Sequence, residues 1–230
     1  MTGDVLGVPQ LHGDDHQVRA VHVGHALHHR AGRGAHVPES LLGGACFISA
    51  FIEEPGVVRH NGTLQRMVFG ARHSEQEPVA RQFLHACTEA GIDAEVSADV
   101  DRVIWEKYVF LVGHSATTTA VRRPIGVVRS HERTRVLLRD VMAEAVAVAR
   151  ASGVALAEDF AERQLAFCDT LPADMTSSMH NDLEHGHRLE LPWLSGGVAD
   201  LADELGVPAP RNRTVADILA PYVDGAPSGA

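Results

Sequence analysis

Residues 99–118, DVDRVIWEKYVFLVGHSATT, decide the fold of this chain because they predict one long helix with an apolar face. Ile104, Tyr108 and Val112 recur every four residues, on one side of a helix that begins at Asp99. The adjoining face carries Lys107, Leu111, His114, Ser115 and Thr118. A lysine in that setting indicates either a reactive group beside a buried surface or a charge paired with its neighbouring glutamate at the solvated rim.

The chain beyond this helix predicts an all-helical domain. Apolar periodicity and glycine stops define the helices. The predicted helices span residues 132–152, residues 158–171, a short stretch ended by Gly186, residues 193–205 and a last segment ended by Tyr222. Either Asn212 or Thr214 is expected to cap the last of them.

The segment before the long helix predicts strands. Residues 42–53 are small and β-branched, which is typical of a buried strand, and Pro55-Gly56 then turns the chain. The residues on either side of Asn61-Gly62 predict a hairpin, because Asn-Gly readily takes the positive φ values of a two-residue turn. A helix over residues 77–90 and a short strand over residues 92–97 follow. These elements are typical of the last part of a doubly wound sheet whose first strands are absent.

Composition excludes several classes of partner. The net charge is −10 and no Lys/Arg-rich run is present, which argues against nucleic acid or an anionic membrane surface. The longest uncharged apolar run, residues 108–113, is too short to span a bilayer. Three cysteines without metal-type spacing, Cys46, Cys87 and Cys168, are expected to be buried thiols of a reducing cytosol. We therefore expect a cytoplasmic protein.

The first 36 residues differ in kind from the rest. They hold seven of the 15 histidines and many glycines, without helical or strand periodicity. A metal site is one hypothesis, since His25 and His29 would share a helical face. Nearby glycines disfavour that helix, and no acidic or cysteine ligand sits beside the cluster. Our preferred hypothesis is a poorly folded remnant, or out-of-frame translation, joined to a normal domain, and we predict no metal site.

Three motifs carry a family resemblance. They are Trp105-Glu106-Lys107, residues 176–182 (TSSMHND) and residues 189–192 (LELP). Together they resemble the substrate half of the ketopantoate reductases, over residues 41–222. That resemblance implies reduction of a 2-keto acid by hydride from NADPH. No Gly-x-Gly-x-x-Gly follows a strand near the start, so the cofactor-binding motif of the family is absent from this chain.

The resemblance also implies roles for individual residues. Lys107 matches the lysine that donates a proton to the substrate's keto oxygen, and partial burial would make its ammonium a better acid. Ser178 matches the serine that binds the substrate's carboxylate end. Glu190 matches the glutamate that hydrogen-bonds the substrate's hydroxyl groups. The structural alternatives are that Ser177 or Ser178 only caps a helix, and that Glu190 is an acid favoured before the next helix.

Two positions depart from the family pattern. The family places asparagines one and two turns after the lysine, where this chain has Leu111 and Ser115. Leucine makes no hydrogen bond, and Ser115 replaces an amide only in part, so Ser115 is a weaker candidate for substrate binding. The departure marks either a subfamily with another substrate or a chain that has lost activity.

These observations predict an α+β fold, in which a partial Rossmann-like α/β fragment precedes an all-helical C-terminal domain. The expected divisions are an atypical His/Gly-rich segment (1–36), a remnant of the dinucleotide-binding domain (37–98), a helical substrate and dimerisation domain (99–223) and a flexible tail (224–230). The resemblance favours an enzyme, a 2-dehydropantoate 2-reductase of pantothenate biosynthesis.

That enzyme would use NADPH, act on 2-dehydropantoate or a related 2-keto acid, and could be inactive as this chain alone. The alternative, from another class, is a non-catalytic helical dimerisation or ligand-binding module derived from the same family. The two hypotheses differ on whether the DNA upstream of Met1 encodes a strand followed by Gly-x-Gly-x-x-Gly. Both hypotheses allow a homodimer that forms through the helical domain.

Overall fold

The computed structural model describes residues 41–54 and 56–225. Its sheet has the order β1-β2-β3. Strands β1 (Gly43–Glu54) and β2 (Val57–Gly70) pair antiparallel, and β3 (Asp93–Val96) pairs parallel with β2. Helix α1 (Glu77–Glu89), preceded by a 3-10 turn, makes the crossover between β2 and β3. This small α/β unit agrees with the partial Rossmann-like fragment that the sequence predicts.

Helices make up the rest of the described chain. They are α2 (Val100–Val121), α3 (Ile125–Ser130), α4 (Glu132–Ala151), α5 (Phe160–Thr170), α6 (Ser178–His185), α7 (Ser195–Leu205) and α8 (Pro210–Leu219). Two 3-10 turns, Leu191–Trp193 and Ala220–Tyr222, accompany them. The α+β fold predicted from the sequence is confirmed. None of these helices combines the length and the hydropathy that a bilayer crossing needs.

Helix α2 forms the centre of the helical core. Ile104, Tyr108 and Val112 are almost completely buried, as their spacing predicts. Helix α4 packs directly on α2, where a Cβ atom at Gly113 would lie 2.3 Å from the Met142 side chain. Glycine at that crossing allows the close approach, because any side chain there would displace the Met142 side chain from its packing.

Local signals set the helix ends. The Asp99 side chain accepts a hydrogen bond from the Arg102 backbone N–H at 3.2 Å and so begins α2 where expected. Gly153, with φ of +86°, follows α4 as predicted. Both features depend on residues within one or two turns, which is why the sequence predicts them.

The predicted hairpin at Asn61-Gly62 is wrong. The chain instead reverses between Glu54 and Val57, which pair with each other. Strand β2 then continues through Asn61-Gly62. The pairing shifts there, so that four residues of β2 lie opposite one residue of β1, and His60 Nε2 contacts the Leu64 carbonyl oxygen at 2.9 Å. Gly62 does take positive φ (+74°), but it forms a bulge because the strands keep pairing on both sides.

Strand β1 and one cysteine are more exposed than the sequence predicted. Ala45 is buried, but Ile48 is 53% exposed, so β1 is not a fully buried strand. Cys87 and Cys168 are buried as expected, whereas Cys46 is an exposed free thiol. The reason is the alternation of side chains along a strand, which places Cys46 on the outer face.

The last two helices begin differently from the prediction. Helix α7 begins at Ser195, after the 3-10 turn, and not at residue 193. Neither Asn212 nor Thr214 caps α8. Instead the Glu144 carboxylate accepts from the backbone N–H groups of Arg211 (2.8 Å) and Asn212 (2.9 Å). A carboxylate from α4 thus satisfies the positive end of α8 across the core. The predictions for residues 1–36 and for residues 226–230 of the predicted tail (224–230) lie outside the described residues.

Candidate active site

Lys107 lies where helix α2 meets the sheet. Its Nζ atom donates a hydrogen bond to the backbone carbonyl oxygen of Cys46 in β1 and lies 5.7 Å from the centroid of the Phe47 ring. The side chain is half-buried, and burial lowers the pKa of the ammonium, with a smaller opposing effect from Cys46. Within the described residues no carboxylate comes within salt-bridge distance of it. The alternative of a lysine paired with its neighbouring glutamate is therefore not what the structure has.

The composition of the chain, independently of helical periodicity, also singles out Lys107 as a candidate functional residue. Lys107 is the only lysine among the 230 residues, whereas the chain has 19 arginines. Arginine keeps its proton at any physiological pH, while the pKa of lysine shifts readily when the side chain is buried. The chain, which otherwise uses arginine in place of lysine, has its one lysine at the junction of sheet and helix.

Tyr108 connects this junction to the turn that carries Glu190. Its hydroxyl donates to the backbone carbonyl oxygens of Trp193 (3.0 Å) and Leu194 (3.1 Å). Burial raises the pKa of this phenol, so it remains a donor. Glu190 is half-buried, and its carbonyl oxygen accepts from the Trp193 backbone N–H at 2.9 Å. The contact with Tyr108 therefore places the residues that follow Glu190 beside α2.

The two serines of the Ser-Ser-Met motif have different surroundings. Ser177 is buried, and its Oγ atom accepts from the His180 backbone N–H at 3.0 Å and lies 2.9 Å from Thr118 Oγ1. Ser178 is exposed and is the first residue of α6. Ser177 is thus the cap, which the sequence left open, and the Ser178 hydroxyl is accessible from solvent.

Of the four candidate residues, Lys107 and Ser115 lie on α2, Ser178 begins α6 and Glu190 precedes the 3-10 turn Leu191–Trp193. Thr118, which contacts the Ser177 turn, is eleven residues after Lys107, or about 16 Å along the helix axis. Leu111 and Ser115 occupy the intervening turns, the first half-buried and the second 4% exposed. The structure therefore places the Ser177-Ser178 turn at the Thr118 end of α2, away from Lys107. Ser115 lies inside the helix packing and not on an open surface.

Sequence reasoning missed Cys46, Phe47 and Tyr108. The contact of Lys107 with Cys46 uses a backbone atom, so no residue pattern could reveal it. Tyr108 did carry a signal, because a tyrosine on the most apolar face of a helix needs a hydrogen-bond partner for its hydroxyl. Among the described residues no group of three or more histidine, cysteine or acidic side chains is arranged to hold a metal ion.

The described residues do not provide a phosphate-binding loop. Gly70 is the glycine at the end of β2, before the first helix, and a Cβ atom there would lie 2.3 Å from the Ser97 carbonyl oxygen. That glycine therefore allows the ends of β2 and β3 to approach each other and leaves no backbone cradle for a ligand. Residues 41–54 and 56–225 thus supply no glycine-rich turn at a helix N-terminus of the kind that holds a dinucleotide.

Comparison with known proteins agrees with this architecture. Residues 99–223 match the family model described as Ketopantoate reductase PanE/ApbA C terminal. The 2-dehydropantoate 2-reductase of Halobacterium salinarum is 34% identical over 186 residues, which are 80% of this chain and 60% of that protein. The crystal structure of 2-dehydropantoate 2-reductase from Geobacter metallireducens GS-15 superposes with a TM-score of 0.73 at 26% identity, over 86% of this chain and 64% of that one.

A dimeric ketopantoate reductase from Staphylococcus aureus, 22% identical, has the same fold with a TM-score of 0.70, over 79% of this chain and 61% of that one. The chain is thus similar to proteins that are named as oxidoreductases. More narrowly, the chain belongs to the ketopantoate reductase family, through its C-terminal domain. It spans about 60% of the length of the curated relatives that it matches.

Proposed function

We propose that this chain forms the substrate-binding and proton-donating part of a reductase that converts 2-dehydropantoate, or a related 2-keto acid, to the 2-hydroxy acid. The observation that carries the proposal is the position of the single lysine. Lys107 is half-buried at the junction of sheet and helix, and its ammonium has a lowered pKa. In reduction of a ketone, the carbonyl carbon receives hydride and the oxygen receives a proton. Lys107 Nζ supplies that proton and is reprotonated from water.

The surroundings of Lys107 suit a proton donor. The Cys46 carbonyl oxygen and the Phe47 ring both attract the ammonium group, but neither is a base that removes its proton. The amine is therefore held in one place and can still donate its proton to a substrate. Its positive charge also stabilises the negative charge that develops on the substrate oxygen. A solvated surface lysine would not be held in one place, and water would screen its charge.

Ser178 is proposed to bind the carboxylate end of the substrate, and Glu190 its hydroxyl groups. The exposed Ser178 hydroxyl can donate to a carboxylate, and its place at the start of α6 adds the favourable end of the helix dipole. Glu190 can accept from a substrate hydroxyl group. Ser115 is buried, so in this proposal it shapes the wall of the site next to Leu111 and does not bind substrate directly.

The hydride donor is proposed to be a nicotinamide cofactor, specifically NADPH. The described residues lack a pyrophosphate loop, so its binding is assigned to polypeptide other than residues 41–54 and 56–225. The reductase is proposed to act in the cytoplasm, where its thiols stay reduced. It is also proposed to form a homodimer through the helical domain. The proposed division into a sheet remnant before residue 98 and a helical domain after it follows the change from strands to helices.

A second candidate is a non-catalytic dimerisation or ligand-binding module. It is favoured by one observation, the absence of a phosphate-binding loop from the described residues. The two candidates differ in what Lys107 is for. A module needs no proton donor, so replacement of Lys107 would leave its ligand affinity and dimerisation nearly unchanged.

The test joins residues 41–225 to the cofactor-binding part of the Halobacterium salinarum 2-dehydropantoate 2-reductase. We expect this hybrid to reduce 2-dehydropantoate with NADPH, and Lys107→Met to lower kcat by about a hundredfold or more, the usual scale for a positioned acid. Arg102→Met is the matched control, since Arg102 is a cation on the same helix that pairs with Asp99 at the surface. A folded, NADPH-binding hybrid without reductase activity on any 2-keto acid would favour the module.

A further inference from the structure

A buried polar seam joins α6 to α2. On the α2 side it contains Thr118 and Thr119, and on the α6 side it contains Ser177, whose Oγ atom lies 2.9 Å and 3.5 Å from the two threonine hydroxyl oxygens. All three residues are buried. Hydroxyl groups can exchange hydrogen bonds with one another, so this part of the seam is satisfied.

The seam also contains two histidines that are not satisfied. His114 of α2 is 3% exposed and His180 of α6 is 8% exposed. Within the described residues, His114 Nε2 and His180 Nδ1 are buried without any hydrogen-bond partner. The His114 ring stacks on Phe110 with the centroids 5.4 Å apart, and the next ring, Phe167 of α5, meets Phe110 edge-on. The ring packs there like an apolar ring, and its Nε2 atom has no acceptor among the described residues.

The charged groups that face the pair offer little compensation for a proton. Glu184 Oε1 lies 3.8 Å from His180 Nε2, but the glutamate side chain is half exposed. Burial lowers the pKa of His180, Glu184 opposes that shift, and Arg122 and Arg123 at the end of α2 add to it. Burial, together with the neighbouring His180, lowers the pKa of His114 to about 4. His180 thus disfavours a proton on His114.

We propose that His114 and His180 are positioning residues, which keep α6 docked on α2, and hence Ser178 in place, only while both imidazoles are uncharged. Helix α6 has eight residues and buries Met179, His180 and Leu183 on the side that faces the core. A protonated imidazole on that side would have to reach water, and the short helix would have to leave α2 for it to do so. The consequence for substrate binding rests on the proposed role of Ser178, whereas the docking of α6 does not.

Amide hydrogen exchange of the full chain, followed by NMR, tests the docking. Protection factors of α6, corrected for intrinsic exchange, are compared with those of α4 at pH 7.5 and pH 5. From His114 alone we expect protection in α6 to fall on the order of thirtyfold, because the undocked imidazole regains its ordinary pKa while the docked one does not. Helix α4 should lose much less. Unchanged protection in α6 would overturn the proposal.

Variants assign the effect to the pair. His114→Phe with His180→Leu should keep α6 protected at pH 5, because both replacements are apolar. His85→Leu is the matched control, since His85 also faces a glutamate one turn later but is exposed on α1, and it should behave as the parent does. If the double variant loses as much protection as the parent, the pair is not the cause. If it does not fold, ring NMR titration of the parent decides, and an imidazole of His114 or His180 that titrates near 6.5 would overturn the proposal.

A separate measurement tests whether the docking of α6 affects substrate binding through Ser178. In the hybrid enzyme, KM for the 2-keto acid should rise between pH 7.5 and pH 5 by more in the parent than in the double variant, while kcat changes alike in both. If α6 undocks in acid but KM does not follow, the role of Ser178 fails and the docking stands.

Discussion

The Tyr108 hydroxyl lies 3.0 Å from the Trp193 carbonyl oxygen, and this contact ties the turn after Glu190 to the helix residue next to Lys107. Tyr108 is 1% exposed, and its hydroxyl also reaches the Leu194 carbonyl oxygen at 3.1 Å. A buried phenol that donates to two carbonyl oxygens holds the 3-10 turn and α2 as one unit. The relative position of Lys107 and Glu190 thus depends on Tyr108.

Tyr108→Phe is expected to destabilise the chain by about 1–3 kcal/mol, because it removes the donor from two carbonyl oxygens in the core. Urea unfolding followed by circular dichroism measures the change. Tyr222→Phe is the control, since that ring is only half-buried, against Arg122, and its loss of a hydroxyl should change stability by less than about 0.5 kcal/mol. Equal effects of the two substitutions would show that the Tyr108 contact does not fix the turn.

The amine of Lys107 is expected to titrate below the ordinary value of 10.5, since burial lowers its pKa. Reductive methylation with 13C-labelled formaldehyde marks this single side chain and the N-terminus, so two resonances report the titration. The urea-unfolded chain gives the reference pKa. Phe47→Leu should change the Lys107 value, because it removes the ring that lies near Nζ. A Lys107 titration identical in the folded and unfolded chains would contradict the burial of this amine.

Acid is expected to weaken the fold through His114. Its folded pKa of about 4 lies below its unfolded value near 6.5, so between these pH values the unfolded chain binds a proton that the folded chain does not. Stability is therefore complete above pH 6.5 and falls as the pH drops toward 4, by at most about 3 kcal/mol from this residue. Urea midpoints at several pH values measure the slope. His114→Phe should flatten it, and an unchanged slope would assign the acid sensitivity to other groups.

The sequence predicted those parts of the fold that depend on neighbours along the chain. The start of α2 at Asp99 and the stop after α4 at Gly153 are local, and apolar periodicity placed the helices between such signals. The bulge at Asn61-Gly62 was missed because the choice between a turn and a bulge depends on pairing with β1, which no local pattern encodes. The cap of α8 was missed for the same reason, since Glu144 reaches it from 67 residues away in sequence.

The sequence likewise predicted one part of the candidate site, the identities of its residues, and missed another, their surroundings. The identities of Lys107, Ser178 and Glu190 came from motifs, and their roles stay predictions. What the motifs could not provide was the environment. The hydrogen bond from Lys107 to the Cys46 backbone, the exposure of Ser178 next to a buried Ser177, and the two unsatisfied histidines between α2 and α6 arise only when distant segments pack together.

The chain alone is expected to bind NADPH negligibly. Phosphate recognition needs backbone N–H groups of a glycine-rich turn at a helix N-terminus, and the described residues contain none. Titration calorimetry with NADPH should detect no binding at micromolar concentrations, while the hybrid enzyme should bind it. Micromolar affinity of the chain alone would mean that it holds the cofactor in another way, and the assignment of cofactor binding to other polypeptide would be wrong.

Glu190 offers the sharpest test of substrate anchoring, in the hybrid enzyme. If its carboxylate accepts from a substrate hydroxyl, Glu190→Ala should lower kcat/KM for 2-dehydropantoate by about tenfold or more, since hydrogen bonds to charged groups are worth about 1.5–3 kcal/mol. A 2-keto acid of the same branching without the hydroxyl should be affected far less, because it never made that bond. Glu190 also precedes the 3-10 turn Leu191–Trp193, and damage to that turn would penalise both substrates equally. Equal penalties, measured under the same conditions, would remove Glu190 from the site and leave it as a residue that stabilises the turn.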